Sequence, residues 1–297
     1  MMRNDEIRTA LEIANRYYAS DVRVAKQALS AYSRIEPSLR RLVGELEQFQ
    51  NYTHYMLVKS FTFARGGWHD APLMEASPEG VQDTVRELAD VPDDEVKRKL
   101  DEEMSEYFRE ADCSTLKNMI DQWVLFPNWR SRVIDDAFEA HKRGKYTLSI
   151  PTLAPQIEGM LRDETGEYGG GNDYIHRINT TLGFTYYRKT PPSAPSVEDL
   201  NNAIDRLLEL DFIRGHEEAQ RISLEHALFR VNALYDHGDF SDPEFVNSTN
   251  RHAILHGVAS DFSEVHSLKL FCAVQLVHEI VDAYREAIEA EGGADQT

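Results

Sequence analysis

The amino-acid sequence predicts an all-α protein with a C-terminal helical bundle and a helical region before it. Apolar residues recur at the helical spacing of three and four in most of the chain. The last long segment, from about Ser263 to Ala290, is apolar on nearly every face between Leu268 and Ile280. Neither the glycine pattern of a dinucleotide site nor that of a P-loop occurs.

The N-terminal region, residues 1–129, is predicted to be helical and its role is unknown. A 3.6-residue period runs from Ile7 to Tyr18 and again from Leu39 to Phe49. Residues 58–78 contain two glycines and two prolines, which predicts a loop with a short strand at most. Residues 79–112 form a strongly acidic helical pattern, and such a charge run usually marks a solvated helix face.

The predicted C-terminal domain, residues 130–297, begins after a joint at 126–129, where the chain reads FPNW. A stripe of apolar residues from Val133 to His141 predicts one helix, ending near Gly144. A second helix follows, in which Pro151 suits the first turn and Pro155 produces a kink or a later start.

Residues 166–196 are predicted to form a loop-rich insert that is long enough to be functional. The insert combines tyrosines with basic residues, which favours contacts with RNA bases and phosphates. The candidate substrate-binding residues are Arg177, Arg188, Lys189 and Tyr187. The alternative is a hairpin or arm that packs on a neighbouring element.

Charge and composition restrict the possible functions. The net charge of −19 argues against a non-specific nucleic-acid coat protein, although it permits a local basic pocket. The many arginines and few lysines suit either a high-salt cytoplasm or an ordinary acidic protein. No apolar run is long enough for a membrane helix and the polar start lacks a signal core, so we expect a cytoplasmic protein. Two cysteines support neither a disulfide framework nor a cysteine zinc site.

The stretch NRHAILHG, residues 250–257, has three interpretations. In the first, His252 and His256 end a helix before Gly257 and serve only its stability. In the second, the two histidines share one helix face and bind a metal. This interpretation lacks the glutamate of a metalloprotease, because Ala253 stands there, and it needs a third ligand from Asp261, Glu264 or His266.

In the third interpretation, Arg251 and His256 form an R-x4-H pair that cleaves RNA without a metal. Histidine can transfer protons near neutral pH, and arginine offers a charged fork of donors to a phosphate. About 2.6 arginine–histidine pairs with four to six residues between them are expected in this chain by chance, and three occur. The other two are Arg221 with His226 and Arg230 with His237.

The context of the first pair resembles the HEPN superfamily of small helical bundles. There, R-x(4–6)-H lies before a late helix and a polar residue follows the arginine, as His252 does here. The segments FPNWRSRVIDDAFEAHKRGKY, IPTLAPQIEGML and LKLF also resemble a recurring, uncharacterised prokaryotic group. The resemblance covers residues 130–297. One departure is Val258, where a toxin subgroup has tyrosine.

The resemblance implies a metal-independent endoribonuclease without cofactors, acting as a homodimer in stress or phage defence, with an antitoxin or defence protein as a further partner. It implies Arg251 and His256 as the catalytic pair and Asn250 and His252 as supporting residues. Five residues along a helix turn the chain by about 140°, so two protomers would have to combine their residues in one site unless the helix bends. The apolar segment Leu268 to Ile280, or its neighbour, is expected to form that dimer. The alternatives are a non-catalytic dimeric interaction module and a protein that binds metal through its histidine pair.

Overall fold

A computed structural model describes residues 67–68, 93–169, 173–184, 249–259 and 261–294, with scattered residues between 221 and 242. The chain divides into two compact units. One comprises Met1–Arg65, Met74–Val96 and Pro192–Ser223, and nearly all of it lies outside the described residues. The other comprises Gly66–Leu73, Lys97–Pro191 and Leu224–Thr297. The helices predicted before residue 79 lie outside the described residues, and the division at residue 129 stays a prediction.

The regular elements of the described residues are all helices, which confirms the all-α prediction for this part of the chain. Their bounds are α1 Asp93–Asp121, α2 Asn128–Lys142, α3 Tyr146–Thr165, α4 Asp173–Thr181, α5 Arg251–Leu255 and α6 Glu264–Ala294. Helix α1 is interrupted where Ala111, Asp112 and Cys113 adopt positive φ, a conformation unfavourable for residues with a side chain. None of the helices in these ranges has the length and apolarity to cross a bilayer.

Helix α3 lies at the centre of the second unit, in contact with α2, α4, α5 and α6. Its residues Ile150, Leu153, Ile157 and Leu161 repeat at helical spacing and are almost completely buried. The expectation that Pro151 occupies the first turn is wrong, because the helix begins at Tyr146 and contains both prolines. Each proline removes one hydrogen bond from the helix, and the burial of this apolar stripe outweighs that loss.

Helix α6 is the second central element, and its segment from Ser267 to Val277 is buried within a single chain. The apolar character of Leu268 to Ile280 therefore follows from the core of one protomer. Of the two dimer surfaces expected from the sequence, this buried segment of α6 is already covered within one protomer. In the neighbouring helix α5, the apolar side chain of Leu255 is 47% exposed.

Part of the predicted loop-rich insert is helical. Helix α4 buries Tyr174, Ile175 and Ile178 against the unit, and it contacts α3 and α6. The spacing of these three residues is that of a short amphipathic helix. The surrounding glycines and prolines hid this signal in the sequence.

Candidate functional site

Asn250 fixes the start of helix α5. Its buried side-chain oxygen accepts hydrogen bonds from the backbone N–H groups of His252 at 2.8 Å and Ala253 at 3.4 Å. This is N-capping, in which a side chain replaces the missing helical acceptor. The helix is followed by Gly257 with φ of +71°, a left-handed conformation that glycine adopts without strain. Asn250 thus fixes the backbone of the first turn of α5, which carries Arg251 and His252.

Arg251 is the first residue of α5 and points towards helix α3. Its Nη1 lies 2.7 Å from Oε2 of Glu158. Its guanidinium carbon lies 5.5 Å from the centre of the Tyr235 ring. The side chain is 31% exposed, while its Nε is buried and has no hydrogen-bond partner. The charge of Arg251 is therefore partly offset by Glu158 and is still in contact with solvent.

Glu158 holds a second arginine with its other oxygen. Oε1 accepts a hydrogen bond from Nε of Arg162 at 2.7 Å. Arg162 also donates from Nη1 to the carbonyl oxygens of Glu167 and Gly169, each at 2.9 Å. Its guanidinium carbon lies 4.4 Å from the centre of the Tyr174 ring. We call Glu158, Arg162 and Arg251 the Glu158 cluster; two guanidiniums and one carboxylate leave it one positive charge in excess.

Tyr174 and Tyr235 line this cluster as neutral rings. Burial raises the pKa of Tyr174 to about 12, and the nearby Glu158 charge adds to the shift. Burial also raises the pKa of Tyr235 well above its ordinary range, and its hydroxyl donates to the carbonyl oxygen of Ala154 at 3.2 Å. Neither phenol can therefore ionise to act as a base near neutral pH. Their ring faces favour the adjacent guanidiniums.

His252 lies in α5, and His256 is the residue that directly follows this helix. Their rings are stacked, with centroids 6.0 Å apart and planes at 14°. Nε2 of His252 lies 3.0 Å from the carbonyl oxygen of Tyr235, so this nitrogen carries the proton and donates. His256 is exposed and meets the Phe240 ring edge to face, with centroids 5.7 Å apart. The structure thus brings the two histidines together.

Arg251 and His256 contact different neighbours within one chain. Arg251 reaches Glu158 and the Tyr235 ring, whereas His256 reaches His252 and Phe240. This agrees with the rotation that five residues along a helix produce. A single protomer therefore offers the arginine and the exposed histidine in different directions.

Two of the possible third metal ligands, His266 and Glu264, are engaged elsewhere. Nδ1 of His266 lies 2.7 Å from the carbonyl oxygen of Asp261, and Glu264 forms a bidentate pair with Arg109. Over the residues that the structure describes, no group of three or more His, Cys, Asp or Glu side chains is placed to hold a metal ion.

The structure describes one of the four predicted substrate-binding residues. Arg177 lies on α4, where it donates to the Tyr284 hydroxyl at 3.2 Å and to Glu167 at 3.1 Å. Arg188, Lys189 and Tyr187 lie outside the described residues. Glu158 and Arg162, by contrast, were not singled out from the sequence. Their spacing of four was visible, but such pairs are common on helix surfaces, and the link to Arg251 is tertiary.

No protein-family model, curated protein or solved structure matches this chain.

Proposed function

We propose that the protein is a metal-independent endoribonuclease of the HEPN type. The observation that carries the proposal is the placement of Arg251 and His256 at opposite ends of the capped helix α5. His256 is exposed, and the guanidinium of Arg251 is in contact with solvent. Supporting roles fall to Asn250, which caps the helix, and to His252, whose ring stacks on His256.

The proposed reaction uses the RNA 2′-hydroxyl as nucleophile. A base takes its proton, the 2′-oxygen attacks phosphorus, and the bond from phosphorus to the 5′-oxygen breaks as that oxygen gains a proton. Imidazoles suit both proton transfers, because histidine has an ordinary pKa of about 6.5. Arg251 would offset the negative charge that accumulates on the phosphoryl oxygens.

A homodimer would combine the arginine and histidine of two protomers in one site. Support comes from apolar side chains around His256: Leu255 and Phe240 are each 47% exposed, and Val258 is 37% exposed. A two-fold contact through this surface would bring the two copies of α5 together. The resemblance further implies a cytoplasmic role in stress or phage defence, with an antitoxin or defence protein as partner.

The decisive experiment is incubation of the purified protein with total RNA in EDTA, beside His256→Ala. The expected result is cleavage by the wild type alone, with products ending in a 2′,3′-cyclic phosphate or its opened form. Cleavage that EDTA abolishes would instead favour metal binding by the histidine pair. Equal cleavage by both proteins would point to a contaminating nuclease and contradict the assignment.

The second candidate is a non-catalytic dimeric interaction module. The ion pair between Arg251 and Glu158 favours it, since a paired arginine can serve to dock α5 on α3. In that case Arg251→Ala would lower the melting temperature. Neither the wild type nor any variant would degrade RNA. A well-folded His256→Ala protein that has lost only cleavage would exclude this candidate.

A further inference from the structure

The two arginines of the Glu158 cluster are held very unequally. Arg162 has a carboxylate oxygen, two backbone carbonyls and the Tyr174 ring as partners. Arg251 has one carboxylate oxygen and the Tyr235 ring at a longer distance, and its buried Nε has no partner. Because it has fewer partners, Arg251 is the arginine that can more easily exchange Glu158 for another anion.

Glu158 can lose Arg251 at a modest cost. Its side chain is only 13% exposed, so a carboxylate left there without a cation would be strongly unfavourable. Arg162 is bound to Oε1, so the carboxylate would keep one cation if Arg251 left Oε2. The arrangement therefore permits the exchange of Arg251 from Glu158 to an external anion.

We propose that Glu158 is an internal competitor for the phosphate that Arg251 binds. In the unliganded protein the Glu158 carboxylate is bound to the Arg251 guanidinium. A phosphodiester of single-stranded RNA must displace this carboxylate to reach the arginine. Glu158 thus lowers the affinity of the site and restricts it to ligands that make further contacts. This proposal rests on the proposed function, in which Arg251 meets phosphate.

Glu158→Gln is the direct test. Its amide oxygen can still accept from Arg162, but its NH₂ group cannot accept from Arg251. The affinity for phosphate is expected to rise about tenfold, the size of one charge-assisted hydrogen bond. The matched control is Glu139→Gln, which removes the same charge from another Glu–Arg pair at a spacing of four, with Nη2 of Arg143 at 3.0 Å. That control is expected to change phosphate affinity by less than twofold, because exposed pairs are weak.

Two probes separate this proposal from the nuclease assignment. Inorganic phosphate, followed by NMR of the arginine Nε signals, reports on the guanidinium alone. A fluorescent 2′-O-methyl oligoribonucleotide reports on RNA binding without cleavage, because it lacks the nucleophile. If Glu158→Gln binds phosphate more tightly but neither it nor the wild type cleaves RNA, Glu158 is a competitor for phosphate and the protein is not a nuclease. Unchanged or weaker binding of both probes by Glu158→Gln would overturn the competitor, whether or not the wild type cleaves RNA.

Glu158→Asp covers the case in which the glutamine variant does not fold. The shorter carboxylate keeps the net charge and cannot reach both arginines, and it should stay with Arg162 on the same helix. Phosphate affinity is then expected to rise severalfold, with no change in overall charge. A folded aspartate variant with wild-type affinity for both probes would also overturn the proposal.

Discussion

The imidazole rings of His252 and His256 lie within 14° of parallel, with centroids 6.0 Å apart, and of the two only His252 is fixed to the chain by a hydrogen bond to a backbone carbonyl. His252 is therefore the anchored member of the pair, and His256 is the exposed one. This difference assigns them different roles in the proposed reaction: His256 transfers protons, and His252 orients it.

Replacing the two histidines separately should have unequal effects on RNA cleavage. His256→Ala is expected to lose at least about a hundredfold in rate, the usual minimum for removing a general acid or base. His252→Ala should lose less, because it removes a stacked neighbour and leaves His256 in place. Single-turnover rates on a labelled RNA provide the measurement. A greater loss for His252→Ala would reverse the two assignments.

Arg251 should be replaceable by lysine only in part. Arg251→Ala is expected to lose about a hundredfold or more in cleavage rate, through the lost charge on the phosphoryl group. Arg251→Lys keeps that charge but not the planar fork of donors, so its rate should lie between alanine and wild type. The control is Arg221→Ala with His226→Ala, a chance match to the same motif, which should cleave normally. Full activity of Arg251→Lys would show that only a point charge is required.

The surface around His256 should determine the oligomeric state. Leu255→Asp and Val258→Asp are expected to convert a dimer into a monomer, because each introduces a charge into an apolar contact. Since both side chains are already exposed in one protomer, the melting temperature of the monomer should change little. Leu148→Asp, at a side chain that is 56% exposed on α3, is the matched control and should stay dimeric. Light scattering at tens of micromolar protein is the measurement; a monomeric wild type would contradict both the dimer and the shared site.

A buried histidine should make folding sensitive to acid. His141 is 3% exposed, and its Nδ1 lies 2.9 Å from the Ser267 hydroxyl, which also contacts Ser149. Burial lowers the pKa of His141 to about 4, against about 6.5 when unfolded. Below pH 6.5 the unfolded chain therefore binds a proton that the native protein takes up only near pH 4. Through this group the free energy of unfolding should fall by about 3 kcal/mol between these pH values and be fully retained above 6.5.

Urea unfolding of wild type and His141→Phe across this pH range isolates the effect. Phenylalanine suits a site that Tyr146 and Phe271 already surround, and it cannot take up the proton. The variant should therefore lose less stability than the wild type between pH 6.5 and 4. His176→Gln, at an exposed histidine, should follow the wild type. Parallel curves for all three proteins would contradict the assigned pKa.

Gly159 should not tolerate alanine, although it lies inside a helix. An added Cβ would lie 2.9 Å from Nη1 of Arg130. Arg130 is 4% exposed and cannot move aside freely, because it bonds to Gln156 at 2.6 Å and pairs with Asp163. Helix propensity alone predicts that alanine stabilises such a position by about 0.5–1 kcal/mol, whereas crowding costs about 1–3 kcal/mol. Destabilisation is therefore expected in urea unfolding, while Gly169→Ala, whose nearest contact would be 3.8 Å, should be nearly neutral.

The sequence by itself determined the helical class of the described region, a helix that follows the FPNW joint and ends near Gly144, and the long apolar helix near the end. It also placed the polar residues of α5 between Asn250 and Gly257. These features depend on local rules: the 3.6-residue period and the tolerance of glycine for the positive φ found at helix ends. Each rule acts over a few residues and can be applied without knowledge of the rest of the chain.

The tertiary structure alone decided which residues surround the motif. Glu158 belongs to α3 and meets Arg251 only because α5 packs on that helix, which no local pattern specifies. The burial of α6 within one chain and the persistence of α3 through Pro151 have the same origin. Apolar faces from distant segments cover each other, and the free energy of that burial exceeds the local cost of a missing hydrogen bond. Periodicity reveals which face of a helix is buried, but the partner of that face depends on the packing of the whole unit.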